Sequence, residues 1–273
     1  MLQINDLRVV YANGNEALKS ISLKAERGEI IAIIGRSGAG KSTFLRCING
    51  LQKPTSGQIV LDGADITAMT ASELRLARRY IGFIWQEFNL VERLPAITNV
   101  LTGRLGYHRG ISSLMLYFNA EHRAIALRSL ERVGLLQRAK FRSDRLSGGE
   151  KQRVAIARAI SQEPKIILAD EPVASLDPEL SVQVMTDLAR VAREDGVLTL
   201  INIHQVELAK QFADRLIGIA QGVVVYDGAP DGLNEDVLDS IYRFDKSVSL
   251  TAEEQALFKR RESPLPRQPI VLG

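Results

Sequence analysis

The sequence predicts an α/β fold that is interrupted by a helical insertion. Short stretches typical of β-strands fill the first third of the chain, and helical periodicity replaces them in the middle. Apolar runs typical of buried strands then alternate with amphipathic segments, which is the pattern of an α/β core. We therefore expect a core made of residues 1–86 and 162–242, a helical subdomain at residues 87–161, and a C-terminal tail at residues 243–273.

The composition is that of an ordinary soluble globular protein. Of the 273 residues, 45% are hydrophobic and 25% are charged, and a net charge of +3 is too small to indicate a nucleic-acid-binding surface. No apolar run approaches the roughly 18 residues that span a bilayer, and residues 1–6 lack the basic and apolar regions of a signal peptide. The single cysteine, Cys47, excludes an intramolecular disulfide and is consistent with a reducing cytoplasm. We expect it to be a small core residue of the helix after the glycine-rich turn. These features predict a cytoplasmic protein that does not bind nucleic acid.

The first third of the chain is rich in strands. The expected strands are an edge strand at residues 2–10, then Leu18–Ala25, Ile30–Ile34, Gln58–Leu61 and Ile81–Trp85. A helix at Phe44–Asn49 follows the third strand, and Thr70 with Glu73 forms a capping-box pattern that opens a short basic helix.

The middle of the chain changes to helices. We expect one at about Ala96–Leu105, a second that is capped by Asn119 and ended by Gly134, and a third that begins near Gly148. The apolar side of the second helix is predicted to comprise Ile125, Leu127, Leu130 and Val133.

The run Leu114–Phe118 has two interpretations of similar weight. It is apolar and lies close in sequence to the basic residues Arg104, His108 and Arg109. Such a run is expected either to pack under a loop or to bind a partner.

The last part of the core returns to alternating strands and helices. The expected elements are the strand Ile166–Ala169, the helix Pro178–Arg193 with Asp177 as its N-cap, the strand Val197–Asn202, the helix Val206–Phe212, the strand Leu216–Ile219 and a hairpin at Gly222–Tyr226. In the tail, Thr251 and Glu254 form a second capping-box pattern, and the proline-rich end is expected to be mobile.

The glycine-rich turn after Ile34 is the strongest functional signal. It reads Gly35, Arg36, Ser37, Gly38, Ala39, Gly40, Lys41, Ser42 and Thr43. The turn fits the phosphate-binding pattern G-x-x-x-x-G-K-[ST] and joins a predicted buried strand to a predicted helix. Glycines let backbone N–H groups approach phosphates, Lys41 supplies a positive charge, and the Ser42 hydroxyl can ligate Mg²⁺. A simple turn with an exposed lysine is the weaker alternative, and we predict the core of a P-loop NTPase.

Two acids end a buried strand later in the chain. In phosphate-loop enzymes the first such acid supports Mg²⁺, which suits Asp170. Glu171, one residue on, is expected to face the other way and to polarise an attacking water as a general base. Without a phosphate loop, two such acids would more often cap a helix or lie in a solvated loop.

A second glycine pair opens the third helix of the insertion. Ser147, Gly148, Gly149 and Glu150 place backbone N–H groups at a helix start, which predicts a second phosphate-binding surface. The alternative is an ordinary N-cap with flexible glycines, which Ser-Gly-Gly alone would favour.

Taken in order, these motifs resemble those of the ATP-binding subunit of an ABC transporter over about residues 1–230. The resemblance implies a RecA-like mixed sheet with an antiparallel β subdomain and an inserted helical subdomain. It also implies that Leu146–Glu150 is the signature segment, which closes on the γ-phosphate held by the other subunit, and that Ala174–Asp177 communicates across that dimer. Glu150 stands where the family usually has Gln, and this departure puts only fine contacts in doubt.

The same resemblance assigns roles to three single residues. Tyr11 would stack on adenine, Gln86 would contact Mg²⁺ or the attacking water at the hinge into the helical subdomain, and His204 would contact the γ-phosphate as a switch. Taken alone, each has an ordinary interpretation: Tyr11 as a cover for the sheet edge, Gln86 as a strand cap and His204 as a structural histidine. Their occurrence together favours the functional roles.

Three runs resemble the phosphonate importers within this family: Asn99–Gly106, Glu171–Pro178 and Asn202–Ala209. Many relatives have Thr at the position of Val173 and Asp at that of Gln205. The resemblance implies a homodimeric ATPase that uses ATP and Mg²⁺ and drives uptake of phosphonates, with phosphite or phosphate esters as further candidates. Its partners would be membrane permease subunits and an extracytoplasmic phosphonate-binding protein, and it would lie at the cytoplasmic face of the inner membrane.

Other functions remain open at this point. The ATPase of another importer, such as one for polar amino acids, would share every ATP-site motif. A non-transport ATPase of the same family would also share the fold, whether it remodels nucleic acid or ribosomes or assists phosphonate breakdown. Remodelling proteins usually carry two fused nucleotide domains or a long coiled-coil insertion, and this chain has neither.

Overall fold

The computed structural model describes residues 1–107 and 118–242, which contain ten strands and eight helices. The strands are β1 (Leu2–Val10), β2 (Glu16–Ala25), β3 (Ile30–Ile34), β4 (Ser56–Leu61), β5 (Ala64–Asp65), β6 (Ile81–Ile84), β7 (Ile166–Asp170), β8 (Leu198–Asn202), β9 (Arg215–Ala220) and β10 (Val223–Gly228). The helices are α1 (Lys41–Ile48), α2 (Ala71–Ala77), α3 (Ala96–Thr102), α4 (Ala120–Arg132), α5 (Gly148–Ile160), α6 (Pro178–Asp195), α7 (Val206–Phe212) and α8 (Glu235–Tyr242). The predicted elements within the described residues are present with ends shifted by a few residues, and β5 and α8 had not been predicted.

The N-terminal sheet has four antiparallel strands in the order β2-β1-β4-β5. Alternate side chains of β1 are buried, as the pattern of residues 2–10 predicts. The prediction that β1 is an edge strand is wrong, because it pairs with β2 on one side and β4 on the other. Alternation specifies which face of a strand is buried but not whether a distant strand covers its second edge.

The second sheet has six strands in the order β10-β9-β3-β8-β7-β6. Five of these strands, from β9 to β6 in that order, pair in parallel, and only β10 pairs antiparallel, with β9. Every residue of β3, β7 and β8 is buried, as expected for parallel strands covered on both faces. This mixed sheet and the antiparallel sheet together confirm the predicted α/β fold with a β subdomain.

Two apolar clusters lie on opposite faces of the six-stranded sheet, and β3 contributes to both. Ile30, Ala32 and Ile34 pack with side chains from the middle and C-terminal helices. Ile31 and Ile33 pack with α1 and the four-stranded sheet. The alternation of side chains along a strand therefore places β3 between the two layers of the core.

Helix ends follow their caps. The Asn119 side chain accepts a hydrogen bond from the His122 N–H at 2.9 Å, so the predicted cap of α4 is confirmed. The assignment of Leu127 to the buried side of α4 is wrong, since 36% of this residue is exposed. Leu127 lies two positions after the buried Ile125, about 200° around the helix axis.

Cys47 is a core residue, in agreement with its position in the predicted helix. It is buried in α1, and this burial raises the pKa of its thiol to about 12. A thiol with so high a pKa is protonated at neutral pH and is a poor nucleophile.

Several sequence predictions lie wholly or partly outside the described residues. Of the run Leu114–Phe118, only Phe118 is described, and it is buried. The capping-box pattern at Thr251 and the proline-rich end lie outside them altogether. Among the described helices, none is both long and apolar enough to cross a membrane. The helices α3, α4 and α5 pack against one another, while the proposed boundaries of the helical subdomain stay a prediction.

Candidate nucleotide-binding site

The phosphate loop connects β3, near the middle of the six-stranded sheet, to α1. Two of its glycines lie against backbone of other segments: a Cβ atom at Gly35 would collide with the carbonyl oxygen of Ile219, and one at Gly40 with that of Ala17. Gly40 also has φ 105°, a left-handed conformation that favours glycine. The two fixed glycines of the motif are therefore required by packing as well as by the approach of a phosphate.

Lys41 folds back over the loop. Its Nζ atom donates hydrogen bonds to the carbonyl oxygens of Gly35 and Arg36, both at 2.8 Å, and only 4% of the residue is exposed. Burial lowers the pKa of the Lys41 ammonium, although the nearby charges of Glu171 and Asp170 oppose this effect. A buried ammonium group is shielded from water. A phosphate beside it would therefore stabilise its charge through charge-assisted hydrogen bonds.

Ser42 and Asp170 meet at the carboxyl ends of β3 and β7. The Ser42 hydroxyl donates to Oδ1 of Asp170 at 2.8 Å, and Asp170 is 5% exposed. Because the hydroxyl gives its hydrogen to the carboxylate, its oxygen lone pairs stay available to a cation. Hydroxyl and carboxylate oxygens are hard ligands that suit Mg²⁺. In the described residues no cluster of three His, Cys, Asp or Glu residues could hold a metal, so a bound Mg²⁺ would also need phosphate oxygens.

Glu171 reaches the same cleft by an unusual backbone conformation. It has φ 51°, and its N–H donates to the carbonyl oxygen of Asn202 at 3.0 Å. The strand alternation predicts that Glu171 faces away from Asp170, whereas its left-handed conformation places it in the cleft beside the phosphate loop. Its Oε1 atom lies 2.7 Å from Nε2 of His204, a residue that follows the neighbouring strand β8.

The cleft itself has a volume of about 260 Å³. It is lined by Tyr11, Asn15, Ala17, Ser37, Gly38, Gly40, Lys41, Ser42, Thr43 and Glu171. The Tyr11 hydroxyl is 2.9 Å from that of Thr43, which places this aromatic residue at one end of the loop. The structure thus brings Tyr11, the phosphate loop, Asp170, Glu171 and His204 to one place.

The remaining predicted site residues lie elsewhere. Gln86 is exposed just after β6, and Ser147 is exposed at the start of α5. Within the described residues, neither lines the cleft. Ser147 and Glu150 form a capping box: the Ser147 N–H donates to Glu150 at 2.9 Å, and the Glu150 N–H donates to the Ser147 hydroxyl at 3.2 Å. Glu and Gln both serve at this position of a capping box, which explains how Glu150 replaces the usual Gln.

Gly148 and Gly149 are fixed by the helix that follows the acids. A Cβ atom at Gly149 would lie 3.1 Å from a methyl group of Leu180, and one at Gly148 would lie 3.4 Å from a methyl group of Leu176. The signature segment therefore packs closely against the start of α6, and both glycines are more than flexible linkers.

Asn202 is a site residue that the motif analysis missed. Its side chain is fully buried at the end of β8 and donates to Oδ1 of Asp170 at 2.6 Å. An asparagine after an apolar strand is common in sequences. The register that sets Asn202 beside Asp170 becomes visible only once β7 and β8 are paired.

The geometry defines the class of the protein. A phosphate loop between a central parallel strand and a helix, with a hydroxyl and a buried carboxylate at the end of a nearby strand, is the nucleotide site of a P-loop NTPase.

Comparisons with known proteins agree with this class and narrow it. A family model described as ABC transporter matches residues 18–174. The chain is 48% identical over 242 residues to Phosphonates import ATP-binding protein PhnC of Lactobacillus johnsonii, a match that covers 89% of this chain and 95% of the relative. A protein of the same name from Wolinella succinogenes is 45% identical over 258 residues, which is 94% of either chain.

A solved structure agrees as well. The ATP-binding cassette MJ0796, described as dimeric in a post-hydrolysis state bound to ADP and Pi, superposes with a TM-score of 0.74 at 35% identity. The match covers 85% of this chain and all of that one. The chain therefore belongs to the ABC transporter family, as one of its ATP-binding subunits, and the resemblance seen in the sequence is confirmed.

Proposed function

We propose that this chain is the ATP-hydrolysing subunit of an importer that takes up phosphonates, with phosphite or phosphate esters as further substrates. The cleft formed by the phosphate loop, Asp170 and Glu171 carries the ATPase part of the proposal. Extensive identity with relatives named for phosphonate import supports the substrate, because that identity runs over almost the whole length of both chains.

ATP and Mg²⁺ would bind at the phosphate loop. The backbone N–H groups of residues 35–43 and the Lys41 ammonium would hold the phosphates, and Tyr11 would stack on the adenine. Ser42 and Asp170 would hold Mg²⁺, joined by Gln86 when the helical region moves inward. Bound there, Mg²⁺ would neutralise part of the negative charge of the phosphates.

Hydrolysis would depend on the pair Glu171 and His204. Glu171 accepts a proton from the attacking water as a general base. Before that step its present partner, His204 at 2.7 Å, would move to the γ-phosphate, where a ring N–H would donate to a phosphate oxygen. Because His204 would leave Glu171 only when a γ-phosphate is bound, Glu171 would become free to act as a base only in the presence of ATP.

A complete site would need two copies of the chain. The cleft is open, and its volume of about 260 Å³ is at the lower end of ligand sites, which typically measure roughly 300–1,000 Å³, so a second surface that closes over it fits this proposal. The start of α5, with Ser147 exposed, offers backbone N–H groups to a phosphate. Since Ser147 does not line the cleft of its own chain, the signature segment of a second copy would close over the ATP.

The helical region would contact the membrane permease. Directly after Gln86, a groove of about 270 Å³ is lined by Glu87, Phe88, Asn89, Leu90, Glu92, Ser143 and Lys151. Arg158 of α5 donates a hydrogen bond to the Phe88 carbonyl oxygen at 3.0 Å, so this groove is tied to the signature helix. A permease segment bound in this groove would therefore respond to movements of both Gln86 and α5. The chain would lie peripherally at the cytoplasmic face of the inner membrane, and an extracytoplasmic binding protein would deliver the phosphonate.

Growth tests the proposed substrate. A strain that lacks this gene should fail to grow on an alkylphosphonate as sole phosphorus source, while growth on orthophosphate is unaffected. The wild-type gene supplied in trans is the control and should restore growth.

Three outcomes would contradict the proposal in different ways. Normal uptake of labelled phosphonate together with lost uptake of a polar amino acid would assign the chain to another importer. Normal uptake with failed phosphonate breakdown would favour the accessory role. Failure of the affinity-tagged chain to retain any membrane permease would favour a non-transport ATPase.

A further inference from the structure

Asn202 lies where the two acids of the site meet the neighbouring strand. Its strand β8 runs between β3 and β7, and Asn202 pairs in register with Asp170 and with Ile33. Its side-chain Nδ2 donates to Oδ1 of Asp170 at 2.6 Å and approaches the Ser42 hydroxyl at 3.4 Å. One buried amide thus contacts both oxygen groups that are proposed to hold Mg²⁺.

The backbone of Asn202 reaches the other acid. Its carbonyl oxygen accepts the N–H of Glu171 at 3.0 Å, immediately after β7 ends. Glu171 has left-handed φ, so this bond holds a residue in a conformation that it would not adopt by preference. The side chain and the main chain of Asn202 therefore fix Asp170 and Glu171 separately.

Burial of the Asn202 amide is energetically unfavourable, because one of its polar atoms is unsatisfied. Asn202 is 0% exposed, and in the described residues its Oδ1 atom has no hydrogen-bond partner. Buried polar atoms are almost always satisfied in proteins. An apolar side chain would leave no such unsatisfied acceptor. We therefore attribute the function of Asn202 to its NH2 group, which donates the hydrogen bonds.

The Asn202 NH2 group can fix the orientation of the Asp170 carboxylate. The terminal torsion of an aspartate is broad, and a carboxylate turns easily unless hydrogen bonds fix it. The two hydrogen bonds to Asp170 described here, from Ser42 and Asn202, both reach Oδ1. A neutral donor fixes the carboxylate and keeps its full negative charge for a cation, whereas Lys or Arg in this place would compete with the cation.

We propose that Asn202 is a positioning residue, which orients Asp170 and Ser42 to receive the Mg²⁺ that accompanies ATP. This inference rests on the proposed function of the cleft. It predicts that Asn202 governs the Mg²⁺ dependence of nucleotide binding and has little influence on binding of the nucleotide alone.

The test measures binding and needs no turnover. A fluorescent ATP analogue is titrated onto the purified chain in EDTA and at a series of Mg²⁺ concentrations. Asn202→Leu, which removes the donor and keeps the branching of the side chain, should bind the analogue in EDTA as the wild type does. Its apparent Mg²⁺ affinity should fall by about 10–100-fold, the usual cost of losing a partner of a metal ligand.

Thr199→Val is the matched control. Thr199 is also fully buried in β8, three residues earlier, and within the described part of the chain its hydroxyl donates to the carbonyl oxygen of Val197, just before β8, at 3.3 Å. This variant should keep the wild-type Mg²⁺ titration even if it lowers stability. If Asn202→Leu does not fold, Asn202→Val carries the same prediction, because it also lacks the donor and suits a buried strand.

Three results are decisive. An unchanged Mg²⁺ titration in Asn202→Leu or Asn202→Val overturns the positioning role. An equal shift in Thr199→Val also overturns it, since the effect would then come from loss of packing in β8. If the wild-type chain itself shows no nucleotide binding that Mg²⁺ strengthens, the proposed function fails, and that failure is visible without any variant.

Discussion

At the scale of single residues, the backbone at Glu171 explains how two successive acids both lie beside the phosphate loop. A regular strand would turn Glu171 away from Asp170, but φ 51° returns it to the phosphate loop. A non-glycine residue in the left-handed region costs on the order of 1–3 kcal/mol and persists where surrounding contacts hold it. The hydrogen bonds to Asn202 and His204 supply those contacts.

Glu171→Gln should separate binding from hydrolysis. The amide keeps the size of the side chain but cannot accept the proton, so hydrolysis should slow by about 10²–10⁴-fold. Phosphate release and a nucleotide titration measure the two steps, and ATP affinity should stay at the wild-type value. Glu121→Gln, an exposed residue in the first turn of α4, is the matched control and should leave both unchanged. Near-wild-type turnover of Glu171→Gln would remove Glu171 from the mechanism.

Some residues of the site could be predicted from the sequence and others could not. Lys41 and Ser42 were predicted because their motif is local and each spacing has a chemical reason. Asn202 was missed because its role depends on the pairing of β7 with β8, whose partners Asp170 and Asn202 are 32 residues apart. The conformation of Glu171 was also missed, since nothing in its sequence signals a positive φ.

At the scale of elements, the start of α5 combines a helix cap with the proposed surface for phosphate. Burial alone would raise the pKa of the Glu150 carboxyl, but hydrogen bonds from Ser147 and the charges of Arg138 and Arg153 outweigh it and lower that pKa. The ionised carboxylate is thus stabilised by folding. Its contribution to stability is complete above the ordinary pKa of a glutamate and is lost as the pH falls through the lowered value.

Glu150→Ala should destabilise the chain by about 0.5–2 kcal/mol, because the capping box is lost. Glu150→Gln is the matched variant. It keeps the bond to the Ser147 N–H and loses the ion pair with Arg138, a half-exposed residue, and the attraction to Arg153, so its cost should stay below about 1 kcal/mol. Denaturant unfolding at neutral pH measures both, and the deficit of the alanine variant should shrink in acid. Equal losses in the two variants would show that charge, and not the cap, stabilises α5.

Element types were easier to predict than element surroundings. The helix caps at Asn119, Ser147 and Asp177 and the buried strands before Gly35 and Asp170 are encoded within a few neighbouring residues. Leu127 was misplaced although the helical period puts it about 200° around the axis of α4 from the buried Ile125. The error for β1 has a different cause, because its second edge is covered by a strand that begins about 50 residues later along the chain.

At the scale of the whole molecule, the six-stranded sheet gathers the site from distant parts of the chain. The strands β3, β8 and β7 are neighbours, and the phosphate loop, His204 and the two acids follow their carboxyl ends. Ligands of open α/β sheets bind at this edge. Among the described residues, those that line the cleft include none from the start of α5, so the proposed second phosphate-binding surface is assigned to another copy.

The proposed dimer, in which the signature segment of each chain closes the phosphate loop of the other, predicts a specific pattern in mixed dimers. A Glu171→Gln background traps ATP by blocking hydrolysis, and two differently tagged chains allow mixed dimers to be purified. Lys41→Ala disables the phosphate loop, and Ser147→Arg obstructs the signature segment. With the two changes on separate chains, both fall in one site and the other site is intact. With both changes on one chain opposite an unchanged partner, each site receives one defect.

Counting the ATP occluded in these two mixed dimers tests the composite site most directly. We expect one trapped ATP per dimer when the changes are on separate chains and none when they share a chain. The reverse result, with one ATP trapped by the dimer that carries both changes on one chain, would mean that each signature segment completes its own chain's site. That outcome would contradict the account.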